Sequence, residues 1–165
     1  MDRPHRYDAF LSYRRQEPDS TFARDLLARL EGEGYTVAID GPDFGGNLSF
    51  LEEIERCIRG SRLTLSVVSP RYLESGNCVE EMRIAKALGM EERTERLLPL
   101  VIEKAEMPLW MHGITGIDFT EKTPVLDSFE RLRAALGTPL RLSDPDRFQV
   151  HPRVGEVFAG REREL

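Results

Sequence analysis

Five short apolar segments with the character of β-strands alternate along the chain with longer segments of helical spacing. The predicted strands cover residues 7–13, 35–39, 63–69, 97–102 and 114–119. Between them, apolar residues recur three and four positions apart, which is typical of amphipathic helices and is clearest at Phe22, Leu26, Leu27 and Leu30. Strands joined through helices pair in parallel by right-handed crossovers, and helices cover both faces of such a sheet. The sequence therefore predicts an α/β fold with a five-stranded parallel sheet in the order 2-1-3-4-5.

This flavodoxin-like order also predicts where a ligand would bind. In such a sheet, ligands bind beyond the carboxyl ends of the strands, where the order reverses between strands 1 and 3. The loops at that point cover residues 12–19 and 69–77. We therefore expect Tyr13 and Arg14 to lie in one crevice with the start of the helix that follows residue 77.

That helix begins with two adjacent carboxylates, Glu80 and Glu81. Asn77 is a favourable N-cap, and Glu80 three residues later would complete a capping box. Glu81 instead falls on a stripe at spacings of three and four with Cys78, Ala85 and Leu88. We expect this stripe to face inward, which makes the Glu81 carboxylate a candidate for chemistry. The alternative to a chemical role is a structural one, in which Glu81 is simply an acid near the start of a helix, where the helix dipole favours negative charge.

Composition narrows the classes of partner. The 165 residues carry 23 Lys and Arg against 29 Asp and Glu, a net charge of -6, which argues against direct binding of nucleic acid. The two cysteines, Cys57 and Cys78, form no CxxC pair, so we expect no metal site. The start of the chain lacks the apolar core of a signal peptide, and no apolar run reaches the length of a membrane span. A cytoplasmic protein with no membrane partner is the expectation.

The order of several motifs resembles a TIR domain, the Toll/interleukin-1 receptor homology domain. The motifs are DAFLSYRR at 8–15, ID at 39–40, LEEI at 51–54, SR at 61–62, SPRYL at 69–73 and CVEE at 78–81. The resemblance covers residues 6–137. It leaves residues 1–5 as a tail and 138–165 as a linker or C-terminal extension. Residues 157–165 resemble the entry to a P-loop ATPase module, with ATPase and sensor parts beyond, and an ordinary helical extension is the equal alternative.

The resemblance implies that the domain either signals by self-association or cleaves the nicotinamide–ribose bond of NAD. In the enzymatic members, the catalytic glutamate stands three residues after the Cys of a WCxxE-like motif, which implies that Glu81 is catalytic here. Asn77 occupies the position of the motif's Trp. NAD would be a substrate and not a cofactor. The resemblance implies a defence effector, an NAD glycohydrolase (NADase) that is activated when copies assemble and releases ADP-ribose or a cyclic ADP-ribose.

Residues around the predicted crevice are candidates for contact with NAD. Arg14 or Arg15 could bind the pyrophosphate or be merely solvated, and Tyr13 could stack on a ring or belong to the core. Further substrate-binding candidates are Ser12, Asp40, Phe44 and Cys78. The turn-rich loop after strand 2 is the candidate self-association segment, and it consists of Gly41, Pro42, Asp43, Phe44, Gly45, Gly46 and Asn47. Two alternatives remain: a non-catalytic TIR interaction module, and an enzyme like the nucleoside deoxyribosyltransferases, which also use a helix-borne glutamate.

Overall fold

In a computed structural model of the protein, which describes residues 5–39, 48–120 and 124–140, one parallel sheet lies at the centre of the molecule. Its strands are β1 (Tyr7–Ser12), β2 (Val37–Ile39), β3 (Ser61–Val68), β4 (Leu97–Val101) and β5 (Ile117–Asp118). They pair in the order β2-β1-β3-β4-β5, and every pairing is parallel. The predicted fold class and strand order are confirmed.

Helices connect the strands and bury their apolar stripes against the sheet. They are α1 (Asp19–Gly32), α2 (Leu48–Arg59), α3 (Pro70–Leu73), α4 (Gly76–Glu92) and α5 (Val125–Leu136), with a short 3-10 helix at Leu109–Met111. The predicted helical stripe of α1 is buried at Leu26, Leu27 and Leu30 and half-buried at Phe22. In α5, Phe129, Leu132 and Leu136 are buried, whereas Val125 is 58% exposed. Val125 is the first residue of that helix and lies at its solvent end.

Two predicted strands are longer than the strands observed. The second was expected at 35–39 and is regular only over Val37–Ile39, and the fifth was expected at 114–119 and spans Ile117–Asp118. Both lie at the edges of the sheet, where only one neighbour supplies hydrogen bonds. An apolar pattern predicts burial, but regular strand geometry also requires hydrogen bonds to a neighbouring strand. An edge strand has one such neighbour, whereas an inner strand has two.

A buried carboxylate holds the end of α5 against the amino-terminal edge of the sheet. Asp8 at the start of β1 is fully buried and accepts hydrogen bonds from Arg62 Nη2 at 2.8 Å, Leu140 N at 2.9 Å and Thr36 N at 2.8 Å. Arg62 also donates to the carbonyl of Thr138, and the Tyr35 hydroxyl donates to the carbonyl of Gly137 at 2.6 Å. The segment 137–140 is therefore fixed at the edge opposite the carboxyl ends of the strands. Of the predicted extension 138–165, only these first residues are described.

Candidate active site

The segment 69–77 between β3 and α4 is predicted to be a loop, and that prediction is wrong in part because a short helix, α3, lies within it. Ser69 caps this helix, since its Oγ accepts a hydrogen bond from Tyr72 N at 3.0 Å. Pro70 occupies the first helical position, where its missing N–H costs nothing. The Ser-Pro pair is therefore the sequence signal for this turn. It orients the Tyr72 side chain toward the sheet, where it is fully buried.

The long helix α4 begins earlier than predicted. Its N-cap is Ser75, whose Oγ accepts a hydrogen bond from Cys78 N at 3.3 Å, and the predicted cap Asn77 is an exposed residue inside the first turn. Both residues are good caps, but a start at Ser75 adds two residues and their hydrogen bonds to the helix. Glu80 is therefore not the partner in a capping box, and its side chain is exposed.

The predicted inward stripe of α4 is confirmed. Glu81 is only 3% exposed, and Cys78, Ala85 and Leu88 on the same face are also buried. The two neighbouring carboxylates thus have opposite environments, because Glu80 faces solvent. Glu81 is the sixth residue of α4 and lies beyond its first turn, so an acid that only interacts with the helix dipole does not explain its burial.

Beside Glu81 lies a buried cluster of hydroxyl groups. The Tyr72 hydroxyl is 2.7 Å from Ser12 Oγ at the end of β1, and it donates to the carbonyl of Cys78 in the first turn of α4 at 3.1 Å. Burial raises the pKa of Tyr72 well above 10.0, and the negative charge of Glu81 raises it further. The structure therefore brings Ser12, Cys78 and Glu81 together around Tyr72, a residue that sequence reasoning did not assign to the site.

A second network joins the loops that surround this cluster. Asp19, the first residue of α1, is fully buried and accepts hydrogen bonds from Ser69 Oγ at 2.5 Å and from Arg71 Nε and Nη2 at 3.0 and 2.9 Å. Arg71 also donates to Glu103, in the loop after β4. Hydrogen bonds to Glu103 and Asp19 raise the pKa of Arg71, so its guanidinium stays charged. Asp19 and Arg71 thus tie together the loops that follow β1, β3 and β4.

The remaining predicted site residues lie in different environments. Tyr13 is buried and has the Arg15 guanidinium 6.0 Å from its ring centroid, while Arg14 is half-buried and Arg15 is exposed. The residues Asp40 and Phe44, and with them Gly41, Pro42, Asp43, Gly45, Gly46 and Asn47, lie outside the described residues. Their predicted roles in substrate binding and self-association stay predictions.

A cleft of about 460 Å³ lies away from Glu81, at the other end of α4, where it is lined by Lys86, Met90, Arg93, Leu97 and Ile114, among others. It shares no residue with the cluster around Tyr72. We place the candidate site at Glu81 because reactive side chains lie there, at the point where the strand order reverses. The volume of a cleft does not by itself indicate a reaction.

Within the described ranges 5–39, 48–120 and 124–140, no group of three or more His, Cys, Asp or Glu side chains is arranged to hold a metal ion. No helix in the same ranges combines the length and apolar character that crossing a membrane requires.

Known proteins share both the sequence pattern and the fold. The chain matches the family model of the TIR domain over residues 9–133. The Disease resistance-like protein CSA1 of Arabidopsis thaliana is 36% identical over 116 residues, which are 68% of this chain and 9% of that much longer protein.

Solved TIR structures superpose on the sheet and its helices. The TIR domain of the Toll-related receptor TRR-2 from Hydra magnipapillata has a TM-score of 0.64 at 22% identity and covers 79% of this chain and 98% of its own. A TIR-STING receptor from C. gigas has a TM-score of 0.66 at 24% identity and covers 85% of this chain and 42% of its own. These two structures share the fold with this chain. Because the family model spans well over half of the sequence, the chain belongs to the TIR domain family.

Proposed function

We propose that this TIR domain is an NAD glycohydrolase in which Glu81 is the catalytic residue. The observation that carries the proposal is the environment of Glu81. Its carboxylate is 3% exposed, lies near the start of α4, and adjoins the end of β1 through Tyr72 and Ser12. That place is the switch point of the sheet, where ligands of such folds bind.

The reaction suits a single carboxylate. The bond between the ribose carbon and the nicotinamide nitrogen breaks, and its electron pair goes to the pyridinium nitrogen, which leaves as neutral nicotinamide. Positive charge develops on the ribose carbon, and a nearby carboxylate stabilises it while accepting hydrogen bonds from ribose hydroxyls. Water then adds to the carbon and releases one proton, which gives ADP-ribose; attack by a ring nitrogen of the adenine instead would give a cyclic form.

The binding residues of the proposal follow from their positions at the same edge. Arg14, half-buried in the loop after β1, would bind the pyrophosphate, and Tyr13 would stack against a ring. Asp40 and Phe44 in the loop after β2 are further proposed contacts. Ser12 and Cys78 are buried beneath the crevice, so a direct contact with NAD requires that substrate displace their present neighbours.

A role in defence is the second part of the proposal. Its support is the similarity to a disease resistance-like plant protein, which is 36% identical over a region that covers 68% of this chain. We propose that copies of the domain assemble in the cytoplasm through the loop 41–47 and that assembly activates cleavage. Any ATPase and sensor parts would then control assembly.

Nicotinamide release from NAD tests the enzymatic proposal. The wild-type chain, Glu81→Gln and Glu80→Gln are compared over a concentration series, while sedimentation records the assembled fraction of each. Glu80→Gln is the matched control, because it makes the same change one residue away on the exposed face. We expect Glu81→Gln to lower the rate on the order of 10³-fold, the effect of removing a main transition-state contact, and Glu80→Gln to leave it within about twofold.

Two outcomes would contradict the proposal. Equal release from wild type and Glu81→Gln would refute the role of the residue. Intact NAD in a fully assembled wild-type sample would refute catalysis altogether and identify the domain as a non-catalytic interaction module.

A further inference from the structure

Tyr72 is fully buried, yet its hydroxyl contacts two separate elements of the candidate site. One contact is Ser12 Oγ at the carboxyl end of β1, at 2.7 Å. The other is the carbonyl of Cys78 in the first turn of α4, at 3.1 Å. Tyr72 therefore bridges the central strand and the helix that carries Glu81.

The direction of these hydrogen bonds is fixed by the chemistry of the groups. A phenol has one proton, and a carbonyl oxygen can only accept, so Tyr72 donates to Cys78. The Tyr72 oxygen must then accept from Ser12, whose hydroxyl can donate. The result is a one-way chain of bonds from Ser12 through Tyr72 to Cys78. Each member depends on the next, which is why removing the middle hydroxyl affects both ends.

Cys78 lies three residues before Glu81, on the same face of α4 and one turn below it. The carbonyl that Tyr72 binds thus belongs to the first turn of α4, directly before the turn from which the Glu81 side chain projects. Burial and the nearby charge of Glu81 both raise the pKa of Tyr72, so the phenol stays neutral and keeps its donor proton at any physiological pH.

We propose that Tyr72 is a positioning residue for Glu81: its hydroxyl, by bridging Ser12 and the Cys78 carbonyl, holds the first turn of α4 at the distance from β1 that catalysis needs. This inference rests on the proposed cleavage of NAD. A change of about 1 Å in the placement of a catalytic group can cost on the order of 100-fold in rate, so a single hydroxyl at this point has a large effect.

Tyr72→Phe removes the hydroxyl and keeps the ring that fills the core. Tyr35→Phe is the matched control, because Tyr35 is also buried and its hydroxyl also donates to a backbone carbonyl, that of Gly137 at 2.6 Å, but at the opposite edge of the sheet. Steady-state rates of nicotinamide release give kcat and KM for both variants, the wild type and Glu81→Gln, and thermal melts record the stability of each.

We expect Tyr72→Phe to lower kcat by about 10- to 100-fold with KM within about twofold of wild type, because the group that is displaced acts in the transition state. Tyr35→Phe should keep kcat and KM within about twofold of wild type, even if its melting temperature falls as much as that of Tyr72→Phe. That contrast separates positioning from a general loss of stability, which would lower both variants alike.

The inference and the proposed function fail in different ways. If wild type and Glu81→Gln release nicotinamide at the same background rate, the proposed function fails. If wild type is active and Glu81→Gln is not, but Tyr72→Phe has the kcat of Tyr35→Phe, only the role of Tyr72 is overturned. A raised KM with unchanged kcat would also overturn it, in favour of substrate binding.

If Tyr72→Phe does not fold, Ser12→Ala decides the question. It removes the donor to Tyr72 and leaves the bond from Tyr72 to Cys78 in place. We expect a smaller fall in kcat with little change in KM. Unchanged kcat, or an effect on KM alone, would refute the bridge.

Discussion

Asp19 lies where the loops after β1, β3 and β4 meet, and replacing its charge tests whether that junction is a main source of stability near the candidate site. Asp19→Asn keeps the size of the side chain but replaces one carboxylate oxygen by an NH₂ group. The best placement leaves the amide oxygen on Arg71 and turns the NH₂ group toward Ser69 Oγ. That hydroxyl already accepts a hydrogen bond from Tyr72 N, and its own proton then has no carboxylate to bind.

The expected cost follows from the three hydrogen bonds that the carboxylate accepts. A hydrogen bond to a charged group contributes about 1.5–3 kcal/mol and a neutral one about 0.5–1.5 kcal/mol, so each loses roughly 1 kcal/mol with the charge. The Arg71 side chain is 25% exposed and also pairs with Glu103, so water and that second carboxylate offset part of the loss. We expect Asp19→Asn to lower the free energy of unfolding by about 2–3 kcal/mol, or the melting temperature by about 4–12 °C for a domain of this size.

Thermal and urea unfolding followed by far-UV circular dichroism measures the effect. The control is Glu55→Gln, which makes the same carboxylate-to-amide change in a pair whose side chains are both about half exposed. A surface pair of this spacing contributes only about 0.3–0.5 kcal/mol. If Asp19→Asn melts within about 2 °C of Glu55→Gln, the buried network contributes no more than a surface pair, and the reasoning is refuted.

Two further predictions concern α4 and alkaline pH. A Cβ on Gly89 would lie 2.7 Å from the carbonyl oxygen of Thr94, whereas one on Gly76 would meet nothing within 4 Å. Gly89→Ala should therefore destabilise the domain by about 1–3 kcal/mol in urea unfolding although alanine favours helices, while Gly76→Ala should be neutral or stabilising; the opposite ranking would contradict the packing argument. The pKa of Tyr72 is raised in the folded state, so its contribution is fully present below about pH 10 and is lost above it, by up to about 1.4 kcal/mol per pH unit. Unfolding free energies measured from about pH 9 to about pH 11 should fall less steeply for Tyr72→Phe than for wild type, and equal slopes would contradict this assignment.

Periodicity predicted the five strands and the longer helices between them, though not α3, and the rule for parallel crossovers then predicted the order of the sheet. The inward stripe through Glu81, for example, follows from spacing alone. Spacing predicts the buried face because each helix has one such face, and the residues on it recur every three or four positions in the sequence.

Local competition and distant contacts account for what the sequence did not predict. Ser75 and Asn77 are equally good caps by residue type, and only the short helix that ends at Leu73 determines which of them starts α4. Asp19 and Tyr72 owe their roles to partners 50 or more residues away, namely Ser69 and Ser12. No local pattern records such pairs, although an acid at the start of a helix and a Ser-Pro cap are visible as isolated signals.

The buried contacts of Asp8 have a mechanical consequence. Asp8 and Arg62 form an ion pair near the amino-terminal ends of β1 and β3. Arg62 donates to carbonyls within residues 136–138, and Asp8 accepts from Leu140 N. A force on that segment would reach the amino-terminal ends of β1 and β3 through these hydrogen bonds. Because α4 packs on β3 and β4, such a force would reach the helix that carries Glu81 through the sheet.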